Sequence, residues 1–160
     1  MGKTEISPEL AATLARIAAD CAGLADDWWV FGSAGMALAG VQGLSPPDVD
    51  LIVSERDAAV LVKAWDAKVD PGSASPLFRS RIFAKAAVAP IPIEIMAGFE
   101  LFEDGAWSPI WPSTRQVIAL PAGSVFIPTA AEQAQICRRF GRPKDLARIA
   151  LLDALQQADR

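Results

Sequence analysis

Three acids and a Gly-Ser pair are the residues of this sequence whose types and spacing offer chemistry. Asp48 and Asp50 stand two apart in "PDVDLIV", at the mouth of a run rich in β-branched residues. In an extended strand this spacing points both carboxylates to one face, with Cα atoms roughly 6.5 Å apart. Such a pair can chelate a divalent cation, and left bare its charges repel. It can equally form a polar strand entrance, one acid capping the turn after Pro46-Pro47. Glu94 sits in "PIEIMAG" between Ile93 and Ile95. Strand alternation puts it on the face opposite those two, either toward solvent or as a third metal-binding acid. Three acids around two magnesium ions can align a triphosphate and an attacking hydroxyl for in-line transfer.

Gly32 and Ser33 interrupt "WWVFGSAGMALAG", where an apolar strand runs into a helical composition. Glycine permits a sharp turn and a close backbone approach. Serine at a helix start offers a hydroxyl among unpaired N–H groups, a natural phosphate site. The other reading is a plain strand-to-helix turn with a capping serine. The glycines do not follow G-x-G-x-x-G, no Gly-Lys-Ser/Thr follows, and G-x-S-x-G is missing. The chain has no histidine, which removes any Ser-His or Cys-His pair and the commonest metal ligand. Cys21 and Cys137 are too few for a zinc site and read as reduced core thiols. A metal held here is therefore a hard cation on carboxylates, magnesium or manganese.

Two basic groups could hold phosphate oxygens. "FRSRIFAK" places Arg79, Arg81 and Lys85 at alternating positions, hence on one strand face, and "GRPKDL" places Arg142 and Lys144 at a helix start. A solvated strand face and an ordinary helix entrance account for them as well. Trp107 and Trp111 read as exposed residues for stacking on a substrate ring, for core packing or for a dimer contact.

The elements that must position these residues follow from periodicity. Ser7-Pro8 opens a helix with Leu10, Leu14, Ile17 and Cys21 on one face, ending near Gly23. Trp28–Phe31 reads as a strand, Ala34–Ala39 as helix, Gly40–Pro47 as loop and Val49–Val53 as strand. Ser54 caps a helix with Val60, Leu61, Ala64 and Trp65 as its apolar stripe. "DPGSASP", residues 70–76, is turn chemistry. Phe78–Ala87 and Ile91–Met96 read as two strands of a hairpin joined near Pro90, and 102–113 as irregular. Arg115–Leu120 and Ser124–Ile127 read as short strands. Thr129–Glu132 is a capping box for a helix to about Phe140, and Gly141-Arg142-Pro143 breaks it. A last helix turns Leu146, Ile149, Leu152 and Leu155 inward.

At 160 residues, with 52% apolar and 21% charged side chains, the chain reads as one globular α+β domain with helices at both ends. No apolar run reaches the roughly 20 residues needed to span a bilayer. The first residues show no signal peptide, and Glu5 and Ile6 after Met1-Gly2 disfavour a lipid anchor. A cytoplasmic protein is expected. The net charge of −4, without a Lys/Arg cluster, argues against an extended nucleic-acid face.

Taken in order, "FGSAGMALAGVQGLSPPDVDLIV" followed by "IEIM" resembles the nucleotidyltransferase fold of the polymerase beta superfamily. That family's pattern is G-[GS], a spacer, D-x-D, then a distant Asp or Glu. "GRPKDLARIALLDAL" is similar to the closing helix of small bacterial members related to antibiotic and toxin–antitoxin nucleotidyltransferases. The likeness covers residues 28–98, with a looser one over 129–155. It implies a mixed β-sheet flanked by N- and C-terminal helices, its core at 28–98 and a helical part at 129–158. It implies that Gly32 and Ser33 bind the terminal phosphates of a nucleotide and that Asp48 and Asp50 hold Mg2+, or Mn2+. Glu94 would be a metal ligand or the base for an acceptor hydroxyl, with Lys144 and Arg81 on the phosphates. The departures are a fourteen-residue spacer between Ser33 and Asp48, Pro46-Pro47 before the first acid, and Glu as the third.

The implied activity is transfer of a nucleoside monophosphate from an NTP such as ATP to a hydroxyl, with release of pyrophosphate. The acceptor classes are a small antibiotic, a sugar, a tRNA end or a protein side chain, and a homodimer is compatible with the sequence. The alternative is a catalytically silent nucleotidyltransferase-like module acting through a protein partner, as an antitoxin-type component does.

Overall fold

Ser7 and Pro8 start the first helix as their types predict. The Ser7 hydroxyl accepts the Leu10 N–H, and α1 (Pro8–Cys21) buries Leu10, Leu14, Ile17 and Cys21 completely. A computed structural model describes residues 5–71 and 75–158 of the chain. The reading of Met1-Gly2 and the middle of the turn expected at 70–76 lie outside the described residues.

The centre is a five-stranded mixed sheet of β1 (Trp29–Phe31), β2 (Val49–Val53), β3 (Lys68–Val69), β5 (Ile82–Ala86) and β6 (Ile93–Ala97). Its spatial order is β1-β2-β6-β5-β3, with β2 and β6 parallel and every other pair antiparallel. Between β1 and β2 lies α2 (Gly32–Ala39), and after β2 comes α3 (Glu55–Ala64), capped by Ser54 accepting the Asp57 N–H. One sheet face carries Val30, Val49, Leu51, Val53, Ile93 and Ile95, all inaccessible, against α1 and α3 in the main core. Alternation sends Trp29, Ile52 and Met96 to the other face, into a second cluster with Phe99, Leu101, Ile136 and Phe140. The α+β class with a mixed sheet and flanking helices agrees with the sequence.

Two expectations fail in the strands. The run expected at 78–87 is broken. β4 (Phe78–Arg79) pairs with β7 (Glu100–Glu103) in a separate three-stranded sheet, and only Ile82–Ala86 pairs with β6. Arg79 and Lys85 therefore belong to different sheets, and Arg81 lies between the two strands, so the three do not form one strand face. The segment expected to be irregular holds β7 and β8 (Ala106–Pro109), registered Glu103 to Ala106. Asp104 and Gly105 form its two-residue turn at φ +51° and +78°. Left-handed conformations at both positions are what an Asp-Gly hairpin turn uses. The strands around "PAG" form as expected, β9 (Gln116–Leu120) antiparallel to β10 (Gly123–Ile127), and β10 packs beside α1 and β1.

Two helices end the chain, α4 (Ala130–Phe140) and α5 (Pro143–Ala158). In α5, Leu152 is buried and Ile149 and Leu155 are half-buried, but Leu146 is 59% exposed, contrary to expectation. Asp145 takes the inward position instead, fully buried, and accepts from the Arg142 N–H and guanidinium. Both cysteines are buried thiols, and burial pushes Cys21 up to about 12.

Half of the expected capping box at Thr129 forms. The Thr129 hydroxyl accepts the Glu132 N–H, but Thr114 Oγ1 takes the Thr129 N–H. The Glu132 carboxylate turns to the loop before β9, accepting the Ser113 and Thr114 N–H groups at 2.7 and 2.8 Å and both hydroxyls. Burial raises the Glu132 pKa, but these four donors outweigh it and hold the group below its ordinary 4.5. A depressed folded-state pKa stabilises above the unfolded value, and that stability is lost as pH falls through the folded one. Glu132→Gln is expected to lower unfolding stability at pH 7 by about 2 kcal/mol. The difference from wild type should shrink steadily below about pH 4.5 in denaturant titrations.

Candidate functional site

The register of three strands assembles the acids. Asp50 in β2 pairs with Glu94 in the parallel β6, and on its other side with Phe31, the last residue of β1. Gly32 follows at once, so the β1–β2 pairing also sets the start of α2 against Asp50. One residue before β2, Asp48 reaches the same place. Carboxylate oxygens of Asp48, Asp50 and Glu94 all lie within 4.8 Å of one another. Alternation keeps Asp50 and Glu94 off the apolar face that carries Leu51 and Ile95. They share theirs with the aromatic second cluster, so the solvent-facing reading of Glu94 does not hold.

Gly32 has no substitute here. Its φ is +67°, and a Cβ on it would stand 2.6 Å from Asp50 Oδ2. The capping-serine reading of Ser33 fails: α2 begins at Gly32 itself, its N-cap is Phe31, and no side chain caps it. The first N–H groups of that helix thus keep their capacity for an anion beside the acids.

The electrostatics ask for a cation. Burial, a hydrogen bond shared with Glu94 and the nearby Asp48 charge push the Asp50 carboxyl up to about 8. Its Oδ1 is buried without a hydrogen-bond partner. A buried carboxylate oxygen with no donor, inside a cluster of oxygen ligands, suits a hard divalent ion. Asp48, Asp50 and Glu94 could together hold one.

These residues line a cavity of about 490 Å³. Ser33, Asp48, Asp50 and Glu94 form its acidic end, and Phe78, Phe83, Phe99 and Phe140 an apolar wall. Arg79, Arg81, Arg142, Lys144 and Arg148 complete the border. Most of these cations are engaged. Arg79 pairs with Glu100 at 2.8 Å and lies over Trp107. Arg142 forks onto Asp145 and stacks on Phe78, its guanidinium carbon 4.8 Å from the ring centre. Lys85, the cross-strand partner of Glu94, sits 3.6 Å from it and does not line the cavity. Arg81 and Lys144 form no ion pair among the described residues. Trp107 is half-buried and Trp111 is 49% exposed, its ring edge-on to Trp29, and neither lines the cavity.

The sequence matches no family model and no curated protein, but solved structures match it along nearly its whole length. A Thermotoga maritima protein provisionally described as a nucleotidyltransferase aligns at TM-score 0.75, with 22% identity over 96% of both chains. The chain has the nucleotidyltransferase fold of the polymerase beta type. The lincosamide antibiotic adenylyltransferase LnuA, solved with lincomycin bound, aligns at TM-score 0.53 and 12% identity. That alignment covers 81% of this chain and 87% of LnuA. The antibiotic-resistance factor ANT(2'')-Ia also gives 0.53 and 12%, covering 91% and 87%. At these identities the likeness is one of fold.

With its pKa raised from 3.8 in the unfolded chain to about 8, Asp50 binds a proton in the native state that the unfolded state has released. Cation-free stability therefore falls as pH rises between those values. A bound divalent ion replaces the proton. Mn2+ should raise Tm more at pH 8.5 than at pH 6, and Asp50→Asn should abolish the increment. Gly32→Ala, which presses on Asp50, should reduce it.

Proposed function

We propose that the chain is a nucleotidyltransferase that moves a nucleoside monophosphate from an NTP to a hydroxyl acceptor. The observation that carries this reading is the assembly of three acids and an uncapped helix start in one cavity. The nucleotidyltransferase fold supports it. Among the described residues no helix is long and apolar enough to cross a membrane.

In this reading Asp48, Asp50 and Glu94 hold Mg2+ or Mn2+. When bound, the ion would supply positive charge against the charge that builds on the phosphate oxygens during transfer. The backbone N–H groups at Gly32 and Ser33, with the Ser33 hydroxyl, receive the terminal phosphates. Arg81 and Lys144 add positive charge along the triphosphate. The acceptor oxygen attacks the α-phosphorus as the bond to the bridging oxygen breaks, and pyrophosphate leaves. The hydroxyl proton passes to Glu94, whose carboxylate lies beside the other two acids. The chain's own contribution is alignment and electrostatic preorganisation, which need no imidazole.

For the acceptor, the phenylalanine wall provides an apolar surface beside the acids. LnuA was solved with lincomycin bound in a fold of this type, which supports a small-molecule acceptor. No observation favours the catalytically silent module, because all three acids are in place and mutually close.

The test supplies each of the four labelled NTPs with Mg2+ or Mn2+ to the enzyme and a panel of hydroxyl compounds. It follows label transfer and pyrophosphate release. Asp48→Ala and Asp50→Ala should each lower the rate by about 10²–10³-fold or more, the range seen when one charge-stabilising group is lost. Equal turnover in wild type and both variants would sink the reading.

A further inference from the structure

We propose that Gly98 is a positioning residue for the nucleotide: it seats the stem of Arg81 so that the guanidinium meets the triphosphate. The inference rests on the nucleotidyl-transfer reading above. Two of the three places where the chain passes between the five-stranded and three-stranded sheets are Ser80-Arg81, between β4 and β5, and Gly98-Phe99, between β6 and β7. The two crossings touch, since the Arg81 N–H donates to the Ala97 carbonyl at 2.9 Å. Gly98 holds φ +61°, and a Cβ there would stand 2.8 Å from Arg81 Cγ and 3.0 Å from its Cβ and Cδ. These are the root of the side chain and not its mobile tip. A residue with a side chain at 98 must push the whole arginine aside.

What distinguishes Arg81 is how its direction is set. Arg79 is aimed by Glu100 and Trp107, and Arg142 by Asp145 and two phenylalanine rings. Arg81 has no counter-ion among the described residues, so the packing of its stem on Gly98 directs it. It borders the cavity that contains the acids, and its fork of donors has no ion-pair partner among the described residues. A guanidinium in that state is suited to bidentate contact with phosphate oxygens. Elsewhere the chain uses acids to orient its cavity arginines. Here it uses a missing side chain, which leaves the full positive charge for the substrate.

The test is calorimetric titration of ATP and of AMP, each with Mn2+, into wild type and four variants. These are Gly98→Ala, Gly98→Asn, Arg81→Ala and the Gly98→Ala/Arg81→Ala double. The Gly98 variants and Arg81→Ala should each weaken ATP about tenfold or more and leave AMP within about twofold. The double variant should be no weaker than Arg81→Ala alone. Asparagine tolerates the left-handed backbone, so Gly98→Asn separates side-chain bulk from conformation. Should Gly98→Ala not fold, Gly98→Asn and Arg81→Ala carry the comparison. Unchanged ATP affinity in the Gly98 variants, equal losses for ATP and AMP, or additive losses in the double would each overturn the proposal while nucleotidyl transfer stands. A wild type that binds no NTP with either Mg2+ or Mn2+ would overturn that reading, and this inference with it.

Discussion

Crowding of three carboxylates on one sheet face is the constraint around which this fold is arranged. Like charges within 4.8 Å repel, and Asp50 is also withdrawn from water with one oxygen unpaired. Lys85, 3.6 Å from Glu94, is a local counter-charge to one of the three. A further offset comes from the reverse of the same strands, where Val49, Leu51, Ile93 and Ile95 are inaccessible to solvent. Each such side chain contributes about 1.5–3 kcal/mol by burial. A one-residue slip between β2 and its neighbours would move the acids into the main core and these aliphatics out of it. The register that keeps the core dry is therefore the register that holds the acids together. The stability of one face maintains the unfavourable arrangement on the other.

The far wall of the cavity comes from the other end of the chain, and buried polar groups attach it. Gln133 in α4, only 4% exposed, donates its amide to the Gly35 carbonyl at 3.2 Å and the Pro128 carbonyl at 2.9 Å. The first turn of α2 and the entry to α4 thus share one side chain. Gly35 has to be glycine for this contact, because a Cβ would meet the Val30 carbonyl at 2.9 Å. Asp145 performs a similar task at the start of α5. It satisfies the Arg142 N–H and guanidinium together, and so fixes an arginine face against Phe78 and Phe140. Both attachments place charged or polar groups where apolar ones would pack more simply.

The parts of this arrangement visible in the sequence are those set by local spacing. Asp48 and Asp50 flank Val49, Glu94 alternates with Ile93 and Ile95, and Gly32-Ser33 ends an aromatic strand; the structure brings all five residues together. Less visible was anything decided by which sheet a strand joins. "FRSRIFAK" has uninterrupted alternation, yet the chain changes sheets at Ser80-Arg81, and no periodicity marks that exchange. The hairpin at 100–109 did leave a signal, the Asp-Gly turn, masked by nearby tryptophans and prolines. Leu146 and Asp145 exchanged roles because an ion pair outweighed hydrophobic periodicity at a helix start, where Arg142 needed an acceptor for its N–H. The roles of Gly98 and Gln133 left no trace, since each acts only through a residue distant in sequence.

The absence of histidine acquires a physical sense on the proposed reading. A nucleophilic hydrolase needs a base of moderate pKa to activate its own side chain, and this chain has none. Phosphoryl transfer makes a different demand, because charge spreads over phosphate oxygens and is met by cations and oriented N–H dipoles. Acids that could hold a divalent ion, an uncapped helix start and two basic side chains with no ion pair among the described residues suit that demand. Raising the Asp50 pKa would be a defect in an enzyme that relied on a free carboxylate. It is harmless in one that binds its ion before its substrate, because the ion displaces the proton and removes the repulsion with it. The bare cluster is thus a poor structural element but a suitable cation site, and the cost carried by the sheet becomes affinity when that site is filled.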